Sequence, residues 1–340
     1  MVLTFGELLL RLAAPGYTRL LQKDSFDATF CGAEANVAVS LANFGIQTKY
    51  ITVVPDDEIG DSAIRTLRSF GVDTSDIIRK DGRMGLFYLE KGASQRPSKV
   101  IYDRAYSSFA LSESKDYDWD ALFPGVKWFH FTGITPALSD NLSEICLEAC
   151  KKAKEKGIIV SCDLNYRAKL WSPQKAKSVM TGLMHYVDVC FANEEDAEKV
   201  LGIKSDNTNI NTAVLDYKGY EDVAKQICDK FSCKFVAISL RKSFSASRNG
   251  WNGMLYNNED EQTYFSKEYD IQIVDRVGAG DSFCAGIIYG LINNKSCAEA
   301  VDFAVAASCL KHSIEGDFNR VSIKEIGSLV QNGGNGRVSR

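Results

Sequence analysis

The sequence predicts an α/β fold in which helices cover both faces of one central, mostly parallel sheet, with a small β-sheet attached to it. From about residue 125 onward, near-continuous apolar strands alternate with helical segments, as they do in parallel sheets buried on both faces. Between residues 84 and 106, two alternating segments are typical of paired β-strands. A length of 340 residues fits one large domain with such an appendage.

The elements before residue 125 begin the sheet and form the appendage. A strand is predicted at VLTFGELLLRL, in which Gly6 marks a bend or a close backbone approach. Strand-like alternation at FDATF is followed by helical spacing in AEANVAVSLANFG, which ends at Gly45. An apolar strand follows at KYITVVP and an amphipathic helix at DSAIRTLRSFG. The β pair consists of MGLFYLEKG and SKVIYDRAY, and with part of the N-terminal β region it would form a lid from about 10–31 and 82–110.

The elements after residue 125 alternate between strands and helices. Strands are predicted at VKWFHFTGI, IIVSCDLNYR, VDVCFAN and KFVAISL. Helices are predicted at NLSEICLEACKKAKEKG, SPQKAKSVMTGLMHY, EEDAEKVLG and YEDVAKQICDKF, and over residues 279–292, 296–311 and about 322–329. Two Asn-Gly dipeptides in ASRNGWNGMLY predict turns between short strands. We therefore expect one domain over residues 1–330 and a disordered tail at 331–340.

Composition and charge exclude several classes of protein. The chain is 45% hydrophobic and 25% charged, and its net charge of -4 gives no reason to expect a nucleic-acid partner. Ten scattered cysteines without a CxxC pair, and only three histidines, predict reduced, mostly buried thiols and no zinc site. The sequence contains no run of about 18 apolar residues, so we expect no membrane span. Glu7 and Arg11 interrupt the apolar N-terminal stretch, so we expect a cytoplasmic protein without a secretion signal.

Ligands of mostly parallel sheets bind beyond the carboxyl ends of the strands. Polar stretches stand at this edge: CDLNYR, FANEED, SLRKS and, just before a predicted helix, DRVGAGD. We therefore expect the functional site to lie there.

The stretch DRVGAGDSF places glycines where a helix is predicted to begin. The unpaired backbone N–H groups of Gly278, Ala279 and Gly280, with the helix dipole, would form an anion site. Asp281 adds a carboxylate that can accept a proton from a hydroxyl, and this combination suits phosphoryl transfer to an alcohol. The alternative is an ordinary helix start, which an acidic first turn stabilises by about 0.3–1 kcal/mol. The chain has neither a Walker-type phosphate loop nor the motifs of protein kinases.

The motif DRVGAGDSFCAG resembles the C-terminal signature of the ribokinase-like (PfkB) carbohydrate kinases. GAEANVAVSLANFG resembles the glycine-rich sugar-binding segment of that family, and RMGLFYLEKGASQRPSKVIYDRA, DLNYR, ANEED and KHSIEGDFN resemble its 2-keto-3-deoxygluconate kinase branch. The resemblance spans roughly residues 1–325. It implies a ribokinase-like fold and ATP-dependent phosphorylation of 2-keto-3-deoxygluconate to 2-keto-3-deoxy-6-phosphogluconate.

For the acceptor side, the resemblance implies that Asp281 is the general base and that the GAGD backbone is the anion hole. Gly32 matches a glycine whose backbone approaches the sugar, and Cys31 stands where relatives usually have a second glycine. Asn36 would lie near the sugar hydroxyls; the alternative is an amide at a helix N-terminus.

Four further residues resemble contacts to the sugar acid. Tyr88, Tyr102 and Arg104 resemble the lid residues that contact a keto-acid sugar. The tyrosines are alternatively ordinary sheet aromatics, and Arg104 an edge-strand charge. Arg167 would point into the crevice, near both the substrate and the phosphates. A guanidinium can hold a carboxylate through two hydrogen bonds, so both arginines would read the acid group.

The resemblance also implies nucleotide and metal contacts. Asn165 and Arg167 would lie near the ATP phosphates, and Asn165 is alternatively the cap of a turn. ANEED resembles the family's N-x-x-E motif, which begins at Asn193 and helps to hold Mg²⁺ through water; Asp196 takes the fourth position, and Glu195 precedes it.

Two remaining pairs of residues complete the implied contacts. Ser239 and Arg241 lie in SLRKS, where many relatives have a glycine-containing nucleotide loop. Asp275 and Val277, with the KHSIEG loop, resemble a monovalent-cation site for K⁺ built largely from backbone carbonyls.

Three other functions remain open at this stage. The same chemistry on a neutral sugar, such as fructose or another ketose, would not require Arg104 and Arg167. A non-catalytic sugar-binding protein on the same fold would not need the carboxylate of Asp281. A dinucleotide-dependent dehydrogenase would show G-x-G-x-x-G after its first strand, which this chain lacks. Since relatives often use the β lid for subunit contact, we also expect a homo-oligomer.

Overall fold

The structure, a computed structural model, describes residues 1–204 and 216–333. Its strands in chain order are β1 (Val2–Phe5), β2 (Leu9–Ala13), β3 (Asp27–Cys31), β4 (Thr48–Ile51), β5 (Val53–Pro55), β6 (Ile78–Lys80), β7 (Gly85–Glu90), β8 (Lys99–Asp103), β9 (Trp128–Thr132), β10 (Ile159–Asp163), β11 (Val189–Ala192), β12 (Phe235–Ser245), β13 (Arg248–Asn257), β14 (Gln262–Phe265) and β15 (Tyr269–Gln272). Its α-helices are α1 (Ala33–Asn43), α2 (Glu58–Ser69), α3 (Trp119–Leu122), α4 (Ile134–Ala137), α5 (Asp140–Glu155), α6 (Pro173–Met184), α7 (Glu194–Asp196), α8 (Tyr217–Phe231), α9 (Ala279–Ile292), α10 (Cys297–Lys311) and α11 (Ile323–Asn332). None of these described helices is long and apolar enough to cross a membrane.

The main sheet has nine strands within the described part of the chain. Their order is β14-β13-β12-β11-β10-β9-β1-β4, and β15 pairs with β13 beside this path. The strands from β12 to β4 are all parallel to their neighbours, whereas β13, β14 and β15 pair antiparallel. The prediction of a mostly parallel sheet is therefore confirmed, with an antiparallel extension at one edge.

Helices cover both faces of the main sheet. Cys190 and Phe191 are adjacent in β11 and belong to two different hydrophobic clusters, because successive strand side chains point to opposite faces. One cluster contains side chains of α5, α6 and α8, and the other contains side chains of α1, α9, α10 and α11. Each fully buried aliphatic or aromatic side chain in these layers contributes about 1.5–3 kcal/mol. The predicted layer arrangement is confirmed.

A separate four-stranded sheet lies beside the main one, in the order β3-β2-β7-β8. Its inner face carries Leu9, Cys31, Phe87 and Leu89, which form a small apolar cluster. The parallel pairing of β2 with β7 joins the N-terminal strand to the predicted β pair. The small sheet expected from the sequence is therefore present, and its inner face points toward the carboxyl edge of the main sheet.

Two segments that were predicted as single strands each divide between two sheets. The N-terminal segment forms β1 in the main sheet and β2 in the small sheet, with Gly6 between them. A Cβ atom at Gly6 would lie 2.1 Å from a carboxylate oxygen of Glu34, so the expected close approach is real. KYITVVP divides in the same way, into β4 of the main sheet and β5 of a two-stranded sheet with β6.

The prediction of Asn-Gly turns in ASRNGWNGMLY is wrong. Both dipeptides lie inside β13, a continuous strand of ten residues paired with β12. A Cβ atom at Gly253 would lie 2.9 Å from side-chain atoms of both Phe283 and Val305. The glycine is therefore required for close packing of α9 and α10 on the sheet, which the local sequence does not reveal.

The last described helix runs further than predicted. Ser322 caps α11 with a capping box, and the helix continues to Asn332 rather than ending near Leu329. Two residues assigned to the disordered tail are therefore helical. Residues 334–340 of that predicted tail lie outside the described residues.

Candidate active site

A cavity of about 490 Å³ lies between the carboxyl ends of the parallel strands and the inner face of the small sheet. The predicted site residues that line it are Gly32, Asn36, Tyr102, Arg104, Asn165, Arg167, Asn193, Asp196, Ser239, Arg241, Val277, Gly278, Ala279, Gly280 and Asp281. Three other predicted residues, Tyr88, Glu195 and Asp275, do not line it. Segments far apart in sequence thus meet at the edge where the sequence places the site.

The start of α9 faces this cavity. Gly278 is the residue before the helix and has a φ of 82°, in the left-handed region that favours glycine. A Cβ atom there would lie 2.0 Å from the carbonyl oxygen of Asp317. The turn therefore needs glycine for two reasons. The N–H of Ala279, which was expected to be unpaired, donates to the carbonyl oxygen of Arg276 at 3.3 Å. The N–H groups that follow it in the first turn of α9 have no partner inside the helix.

Asp281 occupies the third position of α9 and is half-buried in the cavity wall. Its Oδ2 accepts a hydrogen bond of 2.6 Å from Nδ2 of Asn36. Burial raises the pKa of Asp281 to about 7; the carboxylates of Glu34 and Asp317 add to the rise, while Asn36 and Arg167 oppose it. A carboxyl group with a pKa near neutrality is well suited to accept a proton from an alcohol.

Asn36, which contacts the carboxylate of Asp281, is itself hydrogen-bonded to Gly32. A Cβ atom at Gly32 would lie 2.3 Å from the carbonyl oxygen of Glu7, so the backbone there leaves no space for a side chain. The N–H of Gly32 donates to Oδ1 of Asn36 at 3.4 Å. Asn36 thus connects the glycine to Asp281, and it contacts the carboxylate in addition to any sugar hydroxyl.

The structure places Phe87, not Tyr88, toward the cavity. Phe87 lies opposite Tyr102 in the β7–β8 pair, and their ring centroids are 5.9 Å apart. Tyr88 pairs with Ile101 on the outer face of the small sheet, where its ring contacts Phe26. Tyr88, which was predicted as a sugar contact, therefore does not line the cavity, because neighbouring residues of a strand point to opposite faces.

The two predicted arginines differ in their surroundings. Arg104 is buried, its Nε donates to Glu7 at 2.7 Å, and its Nη2 lies 2.5 Å from the same carboxylate oxygen. The acid group of Glu7 also accepts a hydrogen bond from Ser107. Arg167 is only half-buried, and its Nη1 donates to the carbonyl oxygen of Tyr166 at 2.9 Å. Arg167 is therefore the less neutralised of the two cations in the cavity wall.

Four carboxylates in the cavity wall were not predicted as site residues from the sequence: Glu7, Glu34, Asp163 and Asp317. Glu34 is buried, and its Oε1 accepts hydrogen bonds from the hydroxyls of Thr132 (2.7 Å) and Thr135 (2.8 Å). Asp163 ends β10, and burial raises its pKa well above the usual range, with further contributions from the charges of Asp196 and Asp281. The position of Asp163 in DLNYR, at the end of a predicted strand, was the available signal.

Asn165, two residues after Asp163, lines the cavity from a turn. Its φ is 39°, in the left-handed region that asparagine tolerates better than most residues. Its N–H donates to Oδ1 of Asp163 at 3.1 Å. Asn165 therefore lies in a turn and at the cavity at the same time.

Asp196 and Glu195 point to different places. Asp196 is buried, its Oδ1 accepts from the N–H of Tyr166 at 3.0 Å, and its Oδ2 accepts from Asn193 at 2.8 Å. Glu195 is exposed and lines a neighbouring cavity instead. Of the two residues left open by the sequence, Asp196 is the one at the main cavity.

The end of the cavity away from the small sheet is lined by cationic and aromatic side chains. Ser239 and Arg241 point to it from β12, and Trp251 lies opposite Arg241 on β13. Arg276, which precedes the GAGD turn, also lines it. Burial lowers the pKa of Arg276, and the neighbouring charge of Arg241 lowers it further. The carboxylate of Asp275 acts in the opposite direction, but two neighbouring cations at the cavity still favour an anionic ligand.

Asp275 lies beneath the cavity rather than in its wall. It is buried, and its Oδ2 lies 2.6 Å from Nη2 of Arg11. Its Oδ1 accepts from the N–H of Val277 at 3.1 Å, so it supports the backbone that leads into the GAGD turn. Val277 itself reaches the cavity.

Comparison with known proteins agrees with this geometry. The family model described as pfkB family carbohydrate kinase matches residues 1–319. A 2-dehydro-3-deoxygalactonokinase from Haloferax volcanii is 30% identical over 332 residues, 98% of this chain and 97% of that protein. A 2-dehydro-3-deoxygluconokinase from Bacillus subtilis is 28% identical over 326 residues, 95% of this chain and 92% of the relative.

A solved structure gives the same result. The crystal structure of 2-dehydro-3-deoxygluconokinase from Thermotoga maritima superimposes with a TM-score of 0.93 and 48% identity, covering 97% of this chain and 99% of that one. The resemblance inferred from the motifs is confirmed, and so is the ribokinase-like fold. The chain belongs to the pfkB family of carbohydrate kinases and is a sugar kinase.

Proposed function

We propose that this chain transfers the γ-phosphoryl group of ATP to the 6-hydroxyl of 2-keto-3-deoxygluconate, also called 2-dehydro-3-deoxygluconate. The observation that carries the proposal is Asp281 at the start of α9, with a pKa of about 7, beside the glycine turn at Gly278. The names of the similar 2-dehydro-3-deoxygluconokinases support a deoxy keto-acid as the acceptor.

In the proposed reaction, Asp281 takes the proton of the acceptor hydroxyl. The hydroxyl oxygen forms a bond to the γ-phosphorus, and the bond from that phosphorus to the bridging oxygen breaks, which releases ADP. Asn36 holds one oxygen of Asp281, so the carboxylate keeps its orientation as the sugar enters. The N–H groups of Gly280 and Asp281, which follow Ala279 in the first turn, stabilise the negative charge of the transferred group.

The far end of the cavity fits the nucleotide. Arg241 and Arg276 supply positive charge beside the GAGD turn, and Trp251 supplies an apolar surface. An ATP triphosphate is the anion that a kinase must bind there. We therefore assign the phosphates to the arginine end and the sugar to the end under the small sheet.

The carboxylates at the cavity fit a magnesium ion that arrives with ATP. Asp163, Asp196 and Asn193 present oxygen atoms, which are the ligands that Mg²⁺ prefers. The mutual repulsion that helps to raise the pKa of Asp163 would fall if a cation were bound. Among the described residues no preformed cluster of three or more such side chains exists, so phosphate and water would provide most ligands. When bound, Mg²⁺ neutralises phosphate charge.

Recognition of the acid group is assigned mainly to Arg167. Arg104 is buried against Glu7, so part of its hydrogen-bonding capacity and its charge are already used. It would position Tyr102, over whose ring its guanidinium lies at 5.5 Å. Arg167 is half-buried at the cavity and has no carboxylate within salt-bridge distance among the described residues.

The substrate assignment predicts a specific loss in the variant Arg167→Gln. Coupled ADP release would be measured on 2-keto-3-deoxygluconate, its galactonate epimer, 2-ketogluconate, fructose and ribose. Loss of a charged hydrogen bond should lower kcat/KM for the deoxy keto-acid by about 10–100-fold and change fructose turnover much less. Arg248→Gln is the control, because Arg248 is paired with Asp270 outside the cavity.

The possible outcomes separate the alternatives. Equal losses on all sugars would assign Arg167 to the phosphates rather than to the acid group. Preferential turnover of fructose by the unmodified protein would replace the substrate but keep the kinase chemistry. No turnover of any sugar would favour a sugar-binding protein on this fold.

We also propose that the small sheet acts as a lid over the sugar. Phe87 and Tyr102 on its inner face line the cavity, and closing over the acceptor would exclude water from the phosphoryl group. A lid of this kind limits ATP hydrolysis in the absence of sugar.

The outer face of the same sheet supports a homo-oligomer. Leu10, Leu12 and Tyr88 lie on that face, and Ile101 is 52% exposed there. An apolar sheet face of this kind is typical of subunit contacts. Light scattering should therefore give at least a dimer for the unmodified protein and a smaller mass for Ile101→Lys. A monodisperse monomer of the unmodified protein at micromolar concentration would refute the assignment.

A further inference from the structure

A lysine side chain lies completely buried beneath the glycine turn. Lys311 is the last residue of α10 and is 0% exposed. Its Nζ donates to the backbone carbonyl oxygens of Asp275 (3.3 Å) and Ile314 (3.2 Å). No carboxylate of the described residues lies within salt-bridge distance of this ammonium group, so backbone carbonyls hold it.

This place coincides with the monovalent-cation site expected from the sequence. That site was to be formed by carbonyls around Asp275, Val277 and the loop from residue 311 to 316. Two of the carbonyls in that region, those of Asp275 and Ile314, point to Nζ of Lys311 instead. The residues present therefore do not fit a K⁺ ion, because a protonated amine already takes the same oxygens.

The charges around the lysine are balanced without an added ion. Arg11 lies between the carboxylates of Asp275 and Asp317 and contacts both. With Lys311, the buried cluster holds two cations and two anions. A further monovalent cation would leave a net buried charge, which proteins avoid. Burial lowers the pKa of Lys311, and the carboxylates of Asp275 and Asp317 favour its charged form.

The cluster also supports the catalytic turn. Oδ1 of Asp275 accepts from the N–H of Val277, the residue before Gly278. The carbonyl oxygen of Asp317 lies against the position where Gly278 would carry a Cβ atom. Whatever cation binds the carbonyl of Asp275 therefore helps to fix the backbone from which the anion hole begins.

We propose that Lys311 is the resident cation of this site and positions the GAGD turn, so that the kinase needs no K⁺ ion. The inference rests on phosphoryl transfer at the Asp281 site, but not on which sugar is the acceptor. It makes Lys311 a positioning residue, since it reaches the reacting atoms only through Asp275, Val277 and Gly278.

The test compares potassium chloride with tetramethylammonium chloride at equal ionic strength, because the larger ion cannot enter a buried carbonyl site. For the unmodified protein, kcat and the thermal midpoint should agree between the two salts within about twofold and about 1 °C. A clear rise of either quantity in potassium would overturn the proposal.

Two variants make the test specific. Lys311→Ala removes the charge and leaves space, so its kcat should fall in tetramethylammonium and recover about tenfold or more in potassium, with a rise in thermal midpoint. Lys311→Met removes the charge but fills the space, so potassium should not restore it. Equal behaviour of both variants in the two salts would contradict a cation role and indicate packing alone.

Failure of this inference can be distinguished from failure of the proposed function. The activity arm uses each sugar of the substrate panel, and the thermal arm requires no turnover. If no sugar is phosphorylated but potassium stabilises Lys311→Ala and not the unmodified protein, the cation assignment holds while the kinase assignment fails.

Discussion

Replacing Asp281 with asparagine should lower kcat by about 10²–10⁴-fold, the usual contribution of a positioned general base. Asparagine has nearly the same shape as aspartate, but its amide cannot take the proton of the acceptor hydroxyl. Steady-state ADP release at saturating sugar and ATP would measure the loss. Retention of more than about a tenth of the activity would contradict the assigned role.

The pH dependence of the unmodified protein follows from the same group. Since the pKa of Asp281 is about 7, the carboxylate is protonated at lower pH and cannot act as a base. The rate should therefore fall as the pH is lowered below about 7 and level off above it. Below the pKa, the rate should fall by about tenfold for each unit of pH. A rate that stays constant between pH 5 and 7 would exclude Asp281 as the base.

The substitution Asp281→Asn should lower activity but should not lower the stability of the fold at neutral pH. The folded-state pKa of Asp281 is raised above the usual 3.8, so the folded protein binds a proton that the unfolded chain has lost between about pH 4 and 7. This contribution to stability is fully present below pH 4 and is lost as the pH rises to about 7. At neutral pH, Asp281→Asn should therefore be as stable as the unmodified protein or more stable.

A matched control comes from another helix. Glu325 is the third residue of α11, as Asp281 is of α9, and it caps its helix through Ser322. Glu325→Gln should cost up to about 1 kcal/mol of stability without affecting activity. Opposite results for the two variants would separate catalysis from ordinary stabilisation of a helix start.

Replacing Gly278 with alanine should lower kcat by about 10²–10³-fold, similar to the loss of a donor from an anion hole. The added methyl group would lie 2.0 Å from the carbonyl oxygen of Asp317, so the turn has to move. The N–H groups that follow would move with it. The same substitution should also lower the free energy of unfolding, measured by urea denaturation.

Gly45→Ala is the control for this second variant. Gly45 has a similar φ of 76°, but a Cβ atom there would meet nothing within 4 Å, and it does not line the cavity. The free energy of unfolding of this control should fall only by the cost of the left-handed conformation, about 1–2 kcal/mol, and its activity should be unchanged. If both variants lost the same stability and neither lost activity, the turn would have no special role in phosphoryl transfer.

Local patterns were sufficient to predict most of the fold. The alternation of apolar strands with helices predicted the parallel sheet and its two layers, and the position of polar segments after strands predicted the edge that carries the cavity. The GAGD start of α9 drew attention through its residue types, but those residues alone also fitted an ordinary helix start, and the resemblance to the carbohydrate kinases was needed to favour an anion site.

The errors occurred where distant contacts determine the structure. The glycines of β13 were taken as turn signals, but Gly253 is dictated by Phe283 and Val305 from two later helices. Tyr88 was named from the family resemblance, and the alternation of the strand shows two faces without showing which one meets the cavity. The partnership of Arg104 with Glu7 joins residues 97 positions apart, and nothing local indicates it.

The central claim is tested most directly by phosphorus NMR of the product formed from 2-keto-3-deoxygluconate, ATP and Mg²⁺. The 6-hydroxyl is the only primary alcohol of this sugar acid, so its phosphate ester couples to two protons. We predict stoichiometric ADP and one new phosphomonoester signal split into a triplet, absent with Asp281→Asn. No new ester, or a doublet from a secondary alcohol, would contradict the account.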